Sequence, residues 1–146
     1  MLADALKTLL ASNFAYYLKA QQFHWNVEGP DFGQLHKFFQ KIYEDAYSAI
    51  DPTAEYIRYL DEYAPGSFER FAELTKISGQ TKIPRARLML EELSANNQQM
   101  IEILNQCFAE AEQENQQGIA DFVAGRLSQH GKYHWQLRSY LKDQRA

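Results

Sequence analysis

The sequence predicts an all-α fold, a four-helix bundle with one long crossover that carries a short extra helix. Three observations lead there. Apolar residues recur at three- and four-residue spacing almost throughout the chain. No stretch alternates with period two, as a half-buried strand would. The interruptions of the helical pattern are one tight turn, one long link and one short polar break, which divide the chain into four long segments.

The first segment carries Leu2, Leu6, Leu9, Leu10, Phe14 and Tyr17 on one face and is expected to reach Val27. Glu28-Gly29-Pro30-Asp31 then reverses the chain. Gly suits a helix C-terminus, Pro cannot continue the helix, and Asp31 is placed to cap the next one. The second helix is marked by Leu35, Phe39, Ile42, Ala46, Ala49, Ile57 and Leu60 and fades near Ala64-Pro65-Gly66. Ser67 starts a brief helix from Phe68 to about Ile77, which Ser78-Gly79-Gln80 ends. Pro84 stands where the third long helix is expected to begin, since a missing N–H costs nothing in the first turn. That helix carries Leu90, Leu93, Met100, Leu104, Phe108 and Ala111. A polar break from Gln113 to Gly118 separates it from the last helix, with Ile119, Val123, Leu127, Leu137 and Leu141. The tight first turn makes two antiparallel neighbours, and the long link lets the chain run along the bundle before the second pair forms.

The 146 residues fit one compact domain spanning 1–146. The 45% hydrophobic and 23% charged content is ordinary for a globular protein that folds in water. Nine Tyr, nine Phe and two Trp suggest a bulky core, a large interface, or both. A net charge of −4 gives no general attraction for nucleic acid or anionic membrane. The one cysteine, Cys107, has no partner for an internal disulfide. The start of the chain lacks the basic and apolar regions of a secretion signal, and no apolar run is long enough for a bilayer. A cytoplasmic location is the expectation.

The four histidines are the natural place to look for chemistry. A di-iron bundle commonly carries Glu-x-x-His on two helices, aimed inward. Here Gln21, Gly33, Leu127 and Gly131 stand three residues before the histidines, so a metal centre inside the bundle is not expected. His24 lies about one turn before the end of the first helix and His36 about one turn into the second. In an antiparallel pair these positions share a height. Asp51 and Glu55, at i and i+4, share a face of the second helix. Imidazole with carboxylate is a suitable ligand set for ferrous iron.

Geometry limits how this set is used. His36 and Asp51 are about 22 Å apart along one helix at about 1.5 Å per residue. At about 100° per residue, Asp51 and Glu55 point away from the apolar stripe. If the four form one site, a second copy of the chain must bring the carboxylates, and a two-fold dimer would do so twice. Outward acids on a helix are ordinarily a solvated face, and a histidine at a helix end is ordinarily a structural hydrogen-bonder. His130 and His134, also i and i+4, fall on the apolar stripe of the last helix and read as buried, hydrogen-bonded residues. Trp25 and Trp135 read most simply as packing residues.

The run from His24-Trp25 through Gly29, Phe32, Leu35 and His36 to Phe39 resembles the pattern H-W-x-x-x-G-x-x-F-x-x-L-H-x-x-F of the mini-ferritins, the DNA-binding proteins from starved cells (Dps). Asp51-Pro52-Thr53-Ala54-Glu55-Tyr56 stands where that family has D-x-x-A-E-R, and His130-Gly131-Lys132-Tyr133-His134-Trp135 is similar to its H-E-K-x-x-W. The resemblance covers nearly the whole chain. It implies a ferritin-like bundle assembled as a hollow homododecamer that oxidises Fe(II), preferably with hydrogen peroxide and otherwise with oxygen, and stores ferric iron. It also implies that His24 and His36 of one subunit, with Asp51 and Glu55 of its two-fold partner, are the catalytic and iron-binding residues.

The sequence departs from the family pattern at four points. Gln40 stands one turn after His36 where an acid is common, and Tyr56 replaces the usual Arg. Pro52 deletes a backbone hydrogen bond inside the second helix and should kink it, which would let Asp51 serve as an N-cap instead of a ligand. A Lys-rich tail is missing at the start of the chain, and the last five residues are mixed in charge, which makes DNA binding doubtful. The expected function is therefore an iron-oxidising, iron-storing shell that limits oxidative damage, with Asp121 a candidate for an iron-entry pore. The alternative is a structural or DNA-compacting shell with a weakened iron site. A helical interaction module is a third reading, and it requires the His-Trp pattern to be coincidence.

Overall fold

The structure, a computed structural model, describes residues 1–142. Six helices follow one another, with no strand among the described residues: α1 (Leu2–Asn26), α2 (Phe32–Ser48), α3 (Ile50–Tyr59), α4 (Phe68–Leu74), α5 (Ala86–Gln113) and α6 (Gln117–Leu141). The pairs α1·α2, α1·α5 and α5·α6 make the main contacts, with α3 continuing α2 and α4 lying in the crossover against α1. This is the expected bundle. Its core runs its full length, from Leu2 and Ala111 at one end to Val27, Leu35 and Leu137 at the other. No helix of the described residues is long and apolar enough to cross a membrane.

The ends of the helices follow local chemistry. Gly29 takes φ +113 in the first turn, a conformation that L side chains rarely adopt. Ser67 caps α4, its hydroxyl accepting the Arg70 N–H at 3.2 Å. Asn115, at φ 57, turns the chain between α5 and α6, a position that Asn tolerates through its short polar side chain. Four details differ from expectation. Asp31 holds the N-cap position of α2 without a side-chain bond, and its backbone carbonyl takes the Leu35 N–H instead. The crossover helix stops at Leu74, where Thr75 turns extended. Pro84 lies one residue before the N-cap of α5, Arg85, outside the helix and not in its first turn. The break before α6 is shorter than Gln113 to Gly118, since α6 already begins at Gln117.

The expected kink in the second helix is a one-residue interruption between α2 and α3 at Ala49, whose backbone stays in the α region (φ −87, ψ −9) and whose N–H still reaches the Asp45 and Ala46 carbonyls at 3.2 Å. Pro52 has no N–H for the Ser48 carbonyl, and its ring crowds that carbonyl. Asp51 does not become the N-cap. Ala49 holds that position, and Asp51 lies within the first turn of α3 with its side chain exposed.

Candidate metal centre between α1 and α2

The antiparallel pairing of α1 and α2 brings His24 and His36 together. Their rings stack with centroids 3.8 Å apart and planes 15° from parallel. Each ring Nδ1 lies 2.7 Å from the other residue's backbone carbonyl oxygen. A carbonyl only accepts, so both Nδ1 atoms carry the proton and donate. In the neutral rings this leaves both Nε2 lone pairs free, because the hydrogen bond at one nitrogen sets the role of the other. Phe32 stacks on the far side of His36 at 5.1 Å, and Tyr43 leans on His24 at 5.1 Å. His24 is buried and His36 half-buried. The pair is held in place before any ligand arrives.

Asp51 and Glu55 are exposed on α3, as their helical direction predicted. Within one chain they do not join the histidines. Among the described residues, no group of three or more His, Cys, Asp or Glu side chains is placed to hold an ion. Gln40, one turn after His36, donates its amide Nε2 to Glu44 at 2.8 Å. Trp25 is 62% exposed and Trp135 56%, so neither packs into its own bundle, against the expectation. Tyr56 packs against Phe122 at 5.1 Å and Tyr59 at 4.9 Å.

The bundle interior is occupied by a polar network that reading the sequence did not find. Arg126 on α6 makes a two-pronged bond to Asp45 on α2, at 3.0 and 2.7 Å. Arg126 also donates to His130 Nε2 at 3.3 Å, and His130 Nδ1 donates to Asn97 Oδ1 at 2.8 Å. Asn97 returns a bond to the His130 carbonyl at 2.9 Å, and the Tyr16 hydroxyl donates to Asn97 Oδ1 at 3.3 Å. Burial, and then the Arg126 charge, push the His130 pKa down to about 3, so the ring is neutral. Burial would raise the Asp45 carboxyl, but the Arg126 bond and charge, with a bond to Tyr133, outweigh it and hold it below its usual value. A half-buried guanidinium and its carboxylate thus join α2 to α6 beside the buried His130 and Asn97. Asn97 falls on the apolar stripe of α5 between Leu93 and Met100, the one local signal of a buried polar contact there, whereas Asp45 and Arg126 are 81 residues apart. His130 is the buried hydrogen-bonded residue expected, whereas His134 has a buried Nδ1 with no partner among the described residues.

Comparison with known proteins bears on the fold and the family. The ferritin-like domain matches residues 3–146. A low temperature-induced protein of Nostoc sp. is 34% identical over 137 residues, covering 92% of this chain and 76% of that protein. The crystal structure of Dps from Staphylococcus aureus is similar with a TM-score of 0.94 at 26% identity, covering 98% of this chain and 96% of the other. A Dps protein from Vibrio cholerae, described as a member of a broad superfamily of ferritin-like diiron-carboxylate proteins, has a TM-score of 0.92 at 27% identity, covering 97% and 89%. By the domain matched over residues 3–146 and by the shared fold, the chain belongs to the ferritin-like family, in its Dps branch.

Proposed function

We propose that this protein binds Fe(II) at sites shared between two-fold-related subunits, oxidises it with hydrogen peroxide, and stores the ferric product inside a homo-oligomeric shell. The observation that carries the proposal is the reciprocal locking of His24 and His36, which presents two free Nε2 donors with no carboxylate among the described residues placed to complete an ion site with them. The exposed Asp51 and Glu55 supply those carboxylates to a neighbour's histidines. Fe(II) accepts both nitrogen and oxygen ligands. With hydrogen peroxide as oxidant, two Fe(II) each give up one electron, the O–O bond breaks, and two protons complete two waters. Both electrons are delivered at one place, so no hydroxyl radical is released.

Complementation tests the sharing. A chain lacking His24 and His36 and a chain lacking Asp51 and Glu55 should each be inactive as pure shells. When the two are unfolded and refolded together, about half the dimers are mixed and about a quarter of all sites are intact. Peroxide-driven Fe(II) oxidation should return to about that fraction, and simple mixing of finished shells should restore nothing. Absence of recovery in shells whose mixed composition is confirmed by mass spectrometry would sink the shared site.

Gln40 favours a weakened form of the same site. Its amide carries no charge, and its N–H is turned to Glu44. Two carboxylates then face the charge of two Fe(II) ions. Anaerobic equilibrium dialysis should find one tightly held Fe(II) per site, and Gln40→Asp should tighten a second by roughly tenfold, equivalent to one favourable charge contact. Two equally tight ions in the unaltered protein would refute this.

A further inference from the structure

The break between α2 and α3 is clamped by side chains. At the joint, three carbonyls are taken by side-chain donors. The Asp45 carbonyl accepts from Ser48 Oγ at 2.6 Å, the Ala46 carbonyl from Asn13 Nδ2 at 2.8 Å, and the Ala49 carbonyl from Thr53 Oγ1 at 2.7 Å. Ser48 and Thr53 act within their own strand of chain. Asn13 reaches across from α1, where it is 2% exposed beside the buried Ser12. A buried amide in that setting has a cost unless it is bonded, and the Ala46 carbonyl satisfies it.

Asn13 and His24 lie eleven residues apart on α1, about three helical turns and nearly the same face. Both meet the α2–α3 arm, Asn13 at Ala46 and His24 at His36. One rigid helix therefore holds the histidine pair at one end and the joint at the other. Beyond the joint, α3 carries Asp51 and Glu55 on its exposed face. Asp45 adds a second tie, to Arg126 on α6. Past the joint, α3 is itself packed on α1 through the buried Thr53 and Ile57, so the angle between α2 and α3 follows from where α1 holds each of them, and Asn13 is the polar hold of α1 on the α2 side.

We propose that Asn13 is a positioning residue: its bond to the Ala46 carbonyl sets the angle at which α3 offers Asp51 and Glu55 to a second copy of the chain. The proposal rests on the shared-site reading above and adds how the carboxylate half is aimed.

Asn13→Leu tests it, since leucine keeps the volume and fits the apolar surroundings but cannot donate. The fold and the assembly should survive, as judged by helical circular dichroism and sedimentation. Amide exchange followed by mass spectrometry should rise in the peptide spanning residues 46–54 and not around His24 and His36. Anaerobic Fe(II) titration should show affinity reduced about tenfold, with Asp51→Asn measured alongside. Unchanged exchange at 46–54, or raised exchange with unchanged Fe(II) affinity while Asp51→Asn weakens it, would overturn the role of Asn13 alone. Unchanged affinity in Asp51→Asn would overturn the shared site and the positioning role together. If Asn13→Leu fails to fold, Asn13→Asp provides the second variant. It keeps the shape but turns an oxygen to the Ala46 carbonyl, and the same two measurements decide in the same way.

Discussion

At the scale of single residues, the histidines divide by environment. His24 and His36 have their Nδ1 protons committed to carbonyls and their Nε2 atoms free, which is a ligand's condition. His130 has both nitrogens engaged inside the bundle, which is a structural residue's condition. Position along the helices already separated these roles in the sequence, since His130 falls on the apolar stripe of the last helix and His24 and His36 at the ends of the first pair; the structure adds which nitrogen each ring commits. The His130 environment predicts an acid limit to stability. Its folded pKa lies near 3 against 6.5 in the unfolded chain, so the unfolded state binds one more proton between those values. Stability from this group is therefore complete above pH 6.5 and falls as pH drops toward 3, by at most about 1.4 kcal/mol per pH unit. The depressed Asp45 carboxyl acts in the same direction below its unfolded value of 3.8. Thermal midpoints measured between pH 7 and 4 (a range chosen around the ordinary His value, roughly 6.5) should fall, and His130→Gln should flatten that slope while lowering stability at neutral pH. A slope unchanged by His130→Gln would show that the acid sensitivity has another source.

At the scale of elements, the helices were legible because their apolar faces are amphipathic and their ends carry Gly, Pro and Ser. The α2–α3 break was partly legible. Pro52 announced it, but its place at Ala49 and the failure of Asp51 to cap depend on which carbonyls find other donors. The crossover was predicted only as a link with a small helix. The structure fastens it by long-range polar bonds: the Lys76 N–H to Ser12 Oγ at 3.0 Å, Gln80 to Glu92 at 2.9 Å, and Gln99 to the Lys76 carbonyl at 3.2 Å. Nearby, the buried Lys19 ammonium, whose pKa burial lowers, donates to Asn96 at 2.8 Å and joins α1 to α5. Ile77 is the apolar peg of the crossover and is fully buried among exposed neighbours. Ile77→Ala should cost about 2–5 kcal/mol of crossover docking, the usual range for such a truncation. Trypsin should then cut faster after the exposed Lys76, Lys82 or Arg85, while the four long helices keep their circular dichroism signal. Equal cutting rates in the two proteins would mean that the crossover is held by its polar bonds alone.

At the scale of the whole molecule, charge is unevenly spread. Lys37, Lys41, Lys82, Arg85, Arg87, Arg138 and Lys142 are all exposed. The Arg87 bond to the Leu141 carbonyl, at 3.3 Å, shows that the start of α5 and the end of α6 share one end of the bundle. The net charge is nevertheless −4. Duplex DNA should therefore be little retarded in a gel shift at about 0.15 M salt, where the screening length is about 8 Å. Strong retardation that collapses with added salt would mean that assembly joins these basic ends into one surface. The expectation of a mixed-charge C-terminal segment falls mostly on residues 143–146, outside the described residues. The exposed Trp25 and Trp135 belong to this scale as well, since their apolar surface has no cover within one chain.

The sequence by itself determined the helical class, the order of the helices, the meeting of His24 with His36 and the outward direction of Asp51 and Glu55. Each follows from a short-range rule, namely period, rise per residue and turn chemistry, that needs no knowledge of distant contacts. Tertiary structure alone decided the protonated nitrogen of each histidine, the Asp45–Arg126–His130–Asn97 network, and the tie from Asn13 to the Ala46 carbonyl. Those bonds join residues 33 to 81 positions apart, except the histidine pair at 12 and the Arg126–His130 bond at 4. Partners at such separations are chosen by helix packing and by the need of buried polar groups to be bonded, and neither leaves a mark in a local pattern.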